Sequence, residues 1–573
     1  MNRYRWMDPP PVDSDAVAEL ASTLAIPASG ARVLVARGYD DAEAIRTFLA
    51  PGPDRRNDPF AFERMHEAVA MVRRTVEQKS SILIHGDYDV DGISGTAILY
   101  TYLEGQVPTI SRFVPDRRRD GYGLSARAVE WAISRQVGLF IAVDCGTSDA
   151  DMIDELETAG VDVIVCDHHQ FPPDGRAGGV MLNPVRAGES YPFAALCGAG
   201  VAFKLIEALH ASGIRGSCTP EELVDLMALA TVGDQVSLTG ENRYYVRAGL
   251  ERLNRNPRPG IGAMRRLSRY GHQRVTARAI AFGIAPRLNA PGRVSHARPA
   301  LELLCETDSE RASALALRLE SDNERRRELT AQVYEAASHQ ISRGAPRKSA
   351  YVLAGSGWDE GVLGIAAARV AENTGRPAIL MSVSGNVAKG SGRSVAGIDL
   401  KFQLDGLGEY FDRYGGHAAA VGLTMRSDRI DEFRERLCER LLGTVTAGTR
   451  VPLYLDGSID IEECNDGLLK FLSACEPWGQ GNREPVWKIS DVQVLGDTCL
   501  VGNGHMKLFF QDTHGHAGQA IAFGWDRDVS PEDLAGRSID LAATLHRSEY
   551  MGRVYPELRV VDVRYHGVRG PVE

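Results

Sequence analysis

Apolar residues in the first half of the chain come in short unbroken runs, each followed at once by acids or histidines. Ile82-Leu83-Ile84 leads into His85-Gly86-Asp87-Tyr88-Asp89-Val90-Asp91-Gly92. Leu139-Phe140-Ile141-Ala142-Val143 leads into Asp144-Cys145-Gly146, and Val163-Ile164-Val165-Cys166 into Asp167-His168-His169. These three predict fully buried parallel strands, because β-rich runs alternate with helical stretches at 94–103, 126–135, 149–159 and 199–211. A fourth run, Leu226-Met227-Ala228-Leu229-Ala230, leads to Val232-Gly233-Asp234. Ligands of an open parallel sheet bind outside the carboxyl ends of its strands. The pattern therefore gathers Asp and His from distant segments into one cluster, and closely packed carboxylates call for cations.

The rest of the pattern divides the chain. Residues 1–53 read as a small N-terminal helical segment, with periodicity at 16–24 and 31–37 and a stop at Pro51-Gly52-Pro53. Residues 54–305 read as a doubly wound α/β domain. Residues 306–347 read as one long connecting helix, opened by Thr307-Asp308-Ser309-Glu310 and closed by Gly344-Ala345-Pro346. A smaller α/β domain follows at 348–447, with strands at 351–354 and 378–381 around a helix at 363–374. From 450 to 573 strands are predicted at 451–455, 486–495, 506–510, 519–523, 539–545 and 558–563, which suits a small β-barrel such as an OB-type barrel.

Composition narrows the class. No apolar run approaches the ~20 residues that span a bilayer, and Met1-Asn2-Arg3-Tyr4-Arg5-Trp6 opens no secretion signal. Nine cysteines without a C-x-x-C pair suit reduced thiols in a cytoplasmic protein. A net charge of −11 argues against a broad basic coat for nucleic acid but leaves room for a local basic channel. Arg117-Arg118-Arg119, Arg265-Arg266 and Arg325-Arg326-Arg327 are candidate basic spots, and a run of this kind is more often a solvated surface.

His85, Asp89, Asp91, Asp144, His168 and Asp234 combine imidazole and carboxylate without thiolate, a set that suits Mn²⁺ or Mg²⁺ more than structural zinc. Two such ions clamp a phosphoryl displacement. Asp144, alone at its strand end, is the candidate bridge, and a bridging water is the candidate nucleophile. His169 is then free to donate to a phosphate oxygen. Asp87 and Asp167 read as supports that hold a ligand or loop. Taken singly, each of these residues is more often a helix cap or a satisfied polar group; several together are not. Lys389-Gly390-Ser391-Gly392-Arg393-Ser394, Gly415-Gly416-His417 and Pro286-Arg287-Leu288-Asn289-Ala290-Pro291-Gly292-Arg293 read as three turns bearing Arg or His, which together make a phosphate-binding wall.

These motifs resemble the DHH phosphoesterase superfamily: the first three acidic motifs and Asp234 its catalytic domain, and Ser391-Gly392-Arg393-Ser394 with Gly415-Gly416-His417 its DHHA1 domain. Length, the Pro286–Arg293 segment and the trailing β-domain narrow the likeness to the RecJ family of single-strand-specific 5′→3′ exonucleases. The resemblance implies two divalent cations, Mn²⁺ or Mg²⁺. It implies single-stranded DNA with a 5′ end as substrate, released as 5′-mononucleotides, and roles in recombination and mismatch repair. It also implies a monomer that meets single-strand-binding protein and a RecQ-type helicase. By the same match Ser391 and Arg393 hold the 5′-terminal phosphate, Arg287 or Arg293 assists, and His417 lines the cleft near the scissile group. Two rivals stand beside it: a phosphoesterase for dinucleotides or pyrophosphate, and a non-catalytic scaffold. The segment after Thr449 favours a polymer, because barrels of this type stack single strands on aromatics, with Phe509, Phe510, Trp525 and Tyr550 as candidates. The retained acids and histidines favour an enzyme.

Overall fold

The computed structural model describes residues 4–172, 175–268, 271, 273–343, 349–443, 451–502, 504–525, 529–550 and 553–566. They form two compact units. One comprises residues 55–449 with 479–481; the other comprises the chain up to 54, 450–478 and 482 onward.

The larger unit begins with a five-stranded, all-parallel sheet in the order Ile110–Phe113, Ile82–Gly86, Leu139–Val143, Asp162–Cys166, Val180–Leu182. Alternate residues feed two cores. Ile82, Ile84, Ile141 and Val143 pack with helices Val90–Leu103 and Gly198–Ala211 on one face, and Leu83, Phe140, Ala142 and Val163 pack on the other. Apolar burial on both sides is what makes the runs unbroken. The register pairs Gly86 with Val143, Val143 with Cys166 and Cys166 with Leu182. All four strands thus end level, and the next residues, Asp87, Asp144, Asp167 and Asn183, form a row. The strand order reverses between Ile82–Gly86 and Leu139–Val143, which is where such sheets bind ligands.

The fourth run is not a strand. Leu226 to Ala230 lie in the helix Val224–Gly233, and Asp234 is its C-cap. That run lacks β-branched residues, and it is buried all round as a central helix.

Helix Ser309–Ser342 runs 34 residues, about 50 Å at 1.5 Å per residue. Ala312, Ala316 and Leu319 join the first lobe's core, while Val333 and Ala337 join that of the second. Apolar anchors at its two ends therefore fix the lobes to one strut. The second lobe's sheet runs Phe411–His417, Ala420–Arg426, Val387–Arg393, Ala378–Ser384, Tyr351–Ser356, parallel only in its last pair. The glycine-rich motifs expected as turns thus lie in strands, and the Pro286–Arg293 segment lies in the short helices Ala285–Asn289 and Pro291–Val294.

In the other unit Trp487–Val494, Ser538–Tyr550, Arg553–Tyr565, Ala517–Ala522 and His505–Gln511 pair in sequence, and the last pairs back to the first, closing a five-stranded barrel. The N-terminal segment is not a separate element. Val33, Leu34, Ile45 and Phe48 from its helices share one core with Phe471, Leu472 and the barrel interior. Tyr4–Met7 pairs in parallel with Val451–Tyr454, and Trp6 Nε1 donates to Asp562 at 2.8 Å. A chain truncated after Gly448 therefore loses the partner of its own first helices. Limited proteolysis of it should cut first within residues 14–49, whereas the full chain resists there. Phe510 and Trp525, 0% and 2% exposed, belong to the barrel core and offer no stacking surface. Phe509 lies outward under Lys507 at 5.2 Å, and half-exposed Phe523 lies under Arg559 at 5.7 Å. The side chain of Tyr550 lies outside the described residues.

Candidate metal centre and basic wall

Three overlapping groups of possible ligand atoms, each within 4.8 Å, occupy the carboxyl end of the parallel sheet: Asp87, Asp89 and Asp144; Asp91, His168 and Asp234; Asp144, His168 and His169. His168 Nε2 lies 3.3 Å from Asp144 Oδ1 and 3.7 Å from both Asp91 Oδ2 and Asp234 Oδ2. Backbone donors aim the acids. Asp89 caps helix Val90–Leu103 by accepting from the Asp91 and Gly92 amides. Asp91 accepts from the Gly198 and Ala199 amides at 2.7 and 2.8 Å, at the N-terminus of helix Gly198–Ala211. A Cβ at Gly198 would lie 2.6 Å from the Asp144 Cβ, so only glycine lets this helix end approach the cluster. Asp144 itself holds φ +60, a left-handed conformation that asparagine and aspartate tolerate best. Its amide donates to the Cys166 carbonyl.

The electrostatics are those of a crowded, buried acid site. Burial first, then neighbouring carboxylates, push Asp87, Asp89 and Asp144 above the usual range and Asp234 to about 9. Among the described residues no Lys or Arg forms an ion pair with these acids. Buried Asp87 Oδ1 and Asp144 Oδ1 accept no hydrogen bond. Hard oxygen and imidazole donors with unused lone pairs, and no thiolate in the groups, fit divalent cations.

Three expectations change here. His85 lies outside the groups: its Nε2 accepts the Ser125 amide at 3.2 Å, its Nδ1 meets Cys145 Sγ at 3.5 Å, and its ring stacks between Phe113 and Phe140. Burial lowers its pKa to about 4. Asp87, read as a support, stands inside the cluster. His169 is not free. Burial works to lower its pKa, but the hydrogen bond and charge of Asp167 outweigh it and hold the ring at about 9. Nδ1 donates to Asp167 at 2.7 Å and Nε2 lies 2.8 Å from the Tyr122 hydroxyl. Asp167 also accepts the Thr147 hydroxyl and amide and the His168 amide. Against its burial, these bonds hold it well below the usual carboxylate range.

Opposite charge gathers around Arg293. Its guanidinium donates to the Gly361 carbonyl at 3.4 Å, tying it to the second lobe. Burial, and then Arg117, lower it to about 10, with Arg326 and Arg393 adding repulsion and Asp89 opposing. Arg393, beside Ser391 Oγ at 3.2 Å, is lowered by burial and Arg117. Arg117 lies 5.3 Å over the Tyr88 ring. Such a cluster of guanidinium groups, short of carboxylates, calls for an anion. Arg287 is not part of it: its guanidinium pairs with Glu320 and donates to the Gly283 carbonyl. His417 stands exposed on the edge strand, opposite Ala420, which in turn pairs with Arg393. Sequence reasoning passed over Tyr122 and Asn289. The Asn289 Oδ1 accepts the Val90 amide at 2.6 Å and so holds the loop that carries Asp87 and Asp89.

Three family models match consecutive stretches of the chain. They are the DHH family N-terminal domain at residues 81–231, the DHHA1 domain at 347–442 and the RecJ OB domain at 455–562. The single-stranded-DNA-specific exonuclease RecJ of Bacillus subtilis is 31% identical over 567 residues, 98% of this chain and 71% of that protein. That of Dickeya dadantii is 34% identical over 510 residues, 85% of this chain and 88% of the relative. The chain belongs to the RecJ family. The crystal structure of Thermus thermophilus RecJ in complex with Mn²⁺ matches 99% of this RecJ-family chain, covering 80% of its own, with a TM-score of 0.82 and 27% identity. The Mg²⁺ complex of the same protein matches 99% of this chain and 79% of its own at 0.77 and 26%.

Proposed function

We propose that this RecJ-family chain, a metal-dependent exonuclease acting on single-stranded DNA, cuts from the 5′ end by a two-metal mechanism and releases 5′-mononucleotides. The observation that carries the reading is the pairing, within one unit, of an acid cluster in which buried Asp87 Oδ1 and Asp144 Oδ1 accept no hydrogen bond with an arginine cluster that forms no ion pair with a carboxylate among the described residues. One set fits cations, the other fits phosphate.

Asp87, Asp89, Asp91, Asp144, His168 and Asp234 would hold the cations, with Asp144 common to two of the groups. Mn²⁺ or Mg²⁺ held there supplies charge for the scissile phosphate and an acidified water. The chain's own groups do the rest. Asp167 orients His169 and keeps it protonated, so that Nε2, now at the Tyr122 hydroxyl, donates to a phosphate oxygen once DNA displaces that contact. Ser391 and Arg393, with Arg293 and Arg117, take the terminal 5′-phosphate, and His417 lines the same lobe's open face. Asn289 and the Gly198 and Ala199 amides fix the acids before substrate arrives. On the barrel, Phe509 and Phe523 with Lys507 and Arg559 offer stacking and charge to a longer strand. No helix among the described residues is long and apolar enough to cross a membrane. Recombination and mismatch repair, the partners single-strand-binding protein and a RecQ-type helicase, a cytoplasmic setting and a monomeric state complete the proposal by family likeness.

End-labelled single-stranded DNA, the matching duplex and a dinucleotide, each with Mn²⁺ and with EDTA, test it. The expected result is Mn²⁺-dependent loss of the single strand alone. Preference for the dinucleotide would support the small-substrate reading, and inertness of all three would support the scaffold.

A further inference from the structure

The second lobe's sheet has one face sealed and the other half bare. Ile379, Met381, Val421 and Leu423 pack into a core on one side. On the opposite face Ala378 and Leu380 are covered by helix Leu363–Thr374. The strands Val387–Arg393, Ala420–Arg426 and Phe411–His417 add no apolar side chain to that second core, although Gly364 of the helix lies against Ser391 and Arg393. Their register sets cross-strand rows on this face. Ser391, Gly422 and Gly415 form one row, and Lys389, Thr424 and Arg413 form the next.

Glycine inside a strand weakens it and needs a reason. At Gly415 and Gly422 an added Cβ would meet nothing within 4 Å, and neither holds a positive φ. Neither packing nor conformation requires them, which leaves close passage of something from outside over the backbone. The adjoining row is cationic. Lys389 and Arg413 are exposed on either side of the Thr424 hydroxyl. Arg413 makes no hydrogen bond or ion pair among the described residues, and Lys389 reaches only solvent-exposed Glu360 at 3.1 Å.

The next step rests on the reading that Ser391 and Arg393 hold the terminal 5′-phosphate. The next phosphate along the strand is the one that is cut, and it belongs to the acid cluster of the first lobe. An anion on the Lys389–Thr424–Arg413 row, two residues or about 7 Å past Ser391, therefore has to lie on the far side of the terminal phosphate. We propose that this row binds the outer phosphates of a 5′-di- or triphosphorylated strand, and that the glycine row clears their path. Hydrolysis is unchanged: water adds to the scissile phosphorus, the P–O3′ bond breaks, and O3′ takes the proton. The released nucleotide keeps all its 5′ phosphates.

The test uses the full-length protein in EDTA and fluorescence anisotropy with oligonucleotides ending in 5′-hydroxyl, 5′-monophosphate or 5′-triphosphate. Wild type should bind the triphosphate end at least as tightly as the monophosphate end. Lys389→Ala/Arg413→Ala should weaken the triphosphate end about tenfold, as expected for lost charged contacts, and leave the monophosphate end unchanged. With Mn²⁺ added, mass spectrometry of wild-type digests should find the nucleoside triphosphate released. Rejection of the triphosphate end by wild type, or equal losses on both ends in the variant, would overturn the subsite. Wild type indifferent to a 5′-phosphate would instead overturn the terminal-phosphate reading beneath it.

Discussion

Asp144→Ala is expected to lower kcat on single-stranded DNA by at least about 10³-fold, roughly 4 kcal/mol of transition-state stabilisation. Asp144 is the acid that two ligand groups share, so its loss removes a donor from both halves of the cluster at once. Affinity for DNA in EDTA should hold, because the proposed phosphate contacts are arginines and Ser391. Equilibrium dialysis should show fewer Mn²⁺ ions retained per chain. Asp144→Asn separates chemistry from backbone, since asparagine tolerates φ +60. It should be as inactive as the alanine variant yet melt above wild type when metal-free, because one of several mutually repelling buried carboxylates is gone. Cleavage near the wild-type rate in either variant would remove Asp144 from the centre.

Arg393→Ala should cost about 10²-fold in kcat/KM on 5′-phosphorylated strands, about 2–3 kcal/mol for a lost charge-assisted contact, and far less on strands ending in a 5′-hydroxyl. Direction requires a group that recognises one end, because an acid cluster has no polarity along DNA. Arg393 satisfies that requirement: it sits beside Ser391, is only half-buried, and is crowded by Arg117 without a carboxylate partner. The check is kcat/KM for both ends with both enzymes. Equal losses would mean that Arg393 serves the scissile phosphate or the fold.

The acid cluster was legible because parallel strands buried on both faces write themselves as unbroken apolar runs, and level registers place the following residues together. The failures have local causes. Alternation groups His85 with Asp89 and Asp91 only where the backbone stays extended, but the strand ends at Gly86 and Asp89 already caps a helix. That change of geometry turns His85 into the interior and brings Asp87 into the cluster. Arg287 and Arg293 look alike in sequence, and only the packed helix at Glu320 separates them. Glycine-rich segments suggested turns because glycine usually serves a positive φ; Gly415 and Gly422 do not. The N-terminal helices looked independent because their partners lie more than 400 residues away, a relation that no local pattern carries.

The most direct measurement is a digest of one 5′-phosphorylated single strand whose first and last bases carry different dyes, followed with time in Mn²⁺. The account predicts that the 5′ dye appears at once on a mononucleotide while the 3′ dye descends through a ladder of shortening strands, and that EDTA stops both. Early release of the 3′ dye as a mononucleotide, or fragments cut internally from the first time point, would contradict it.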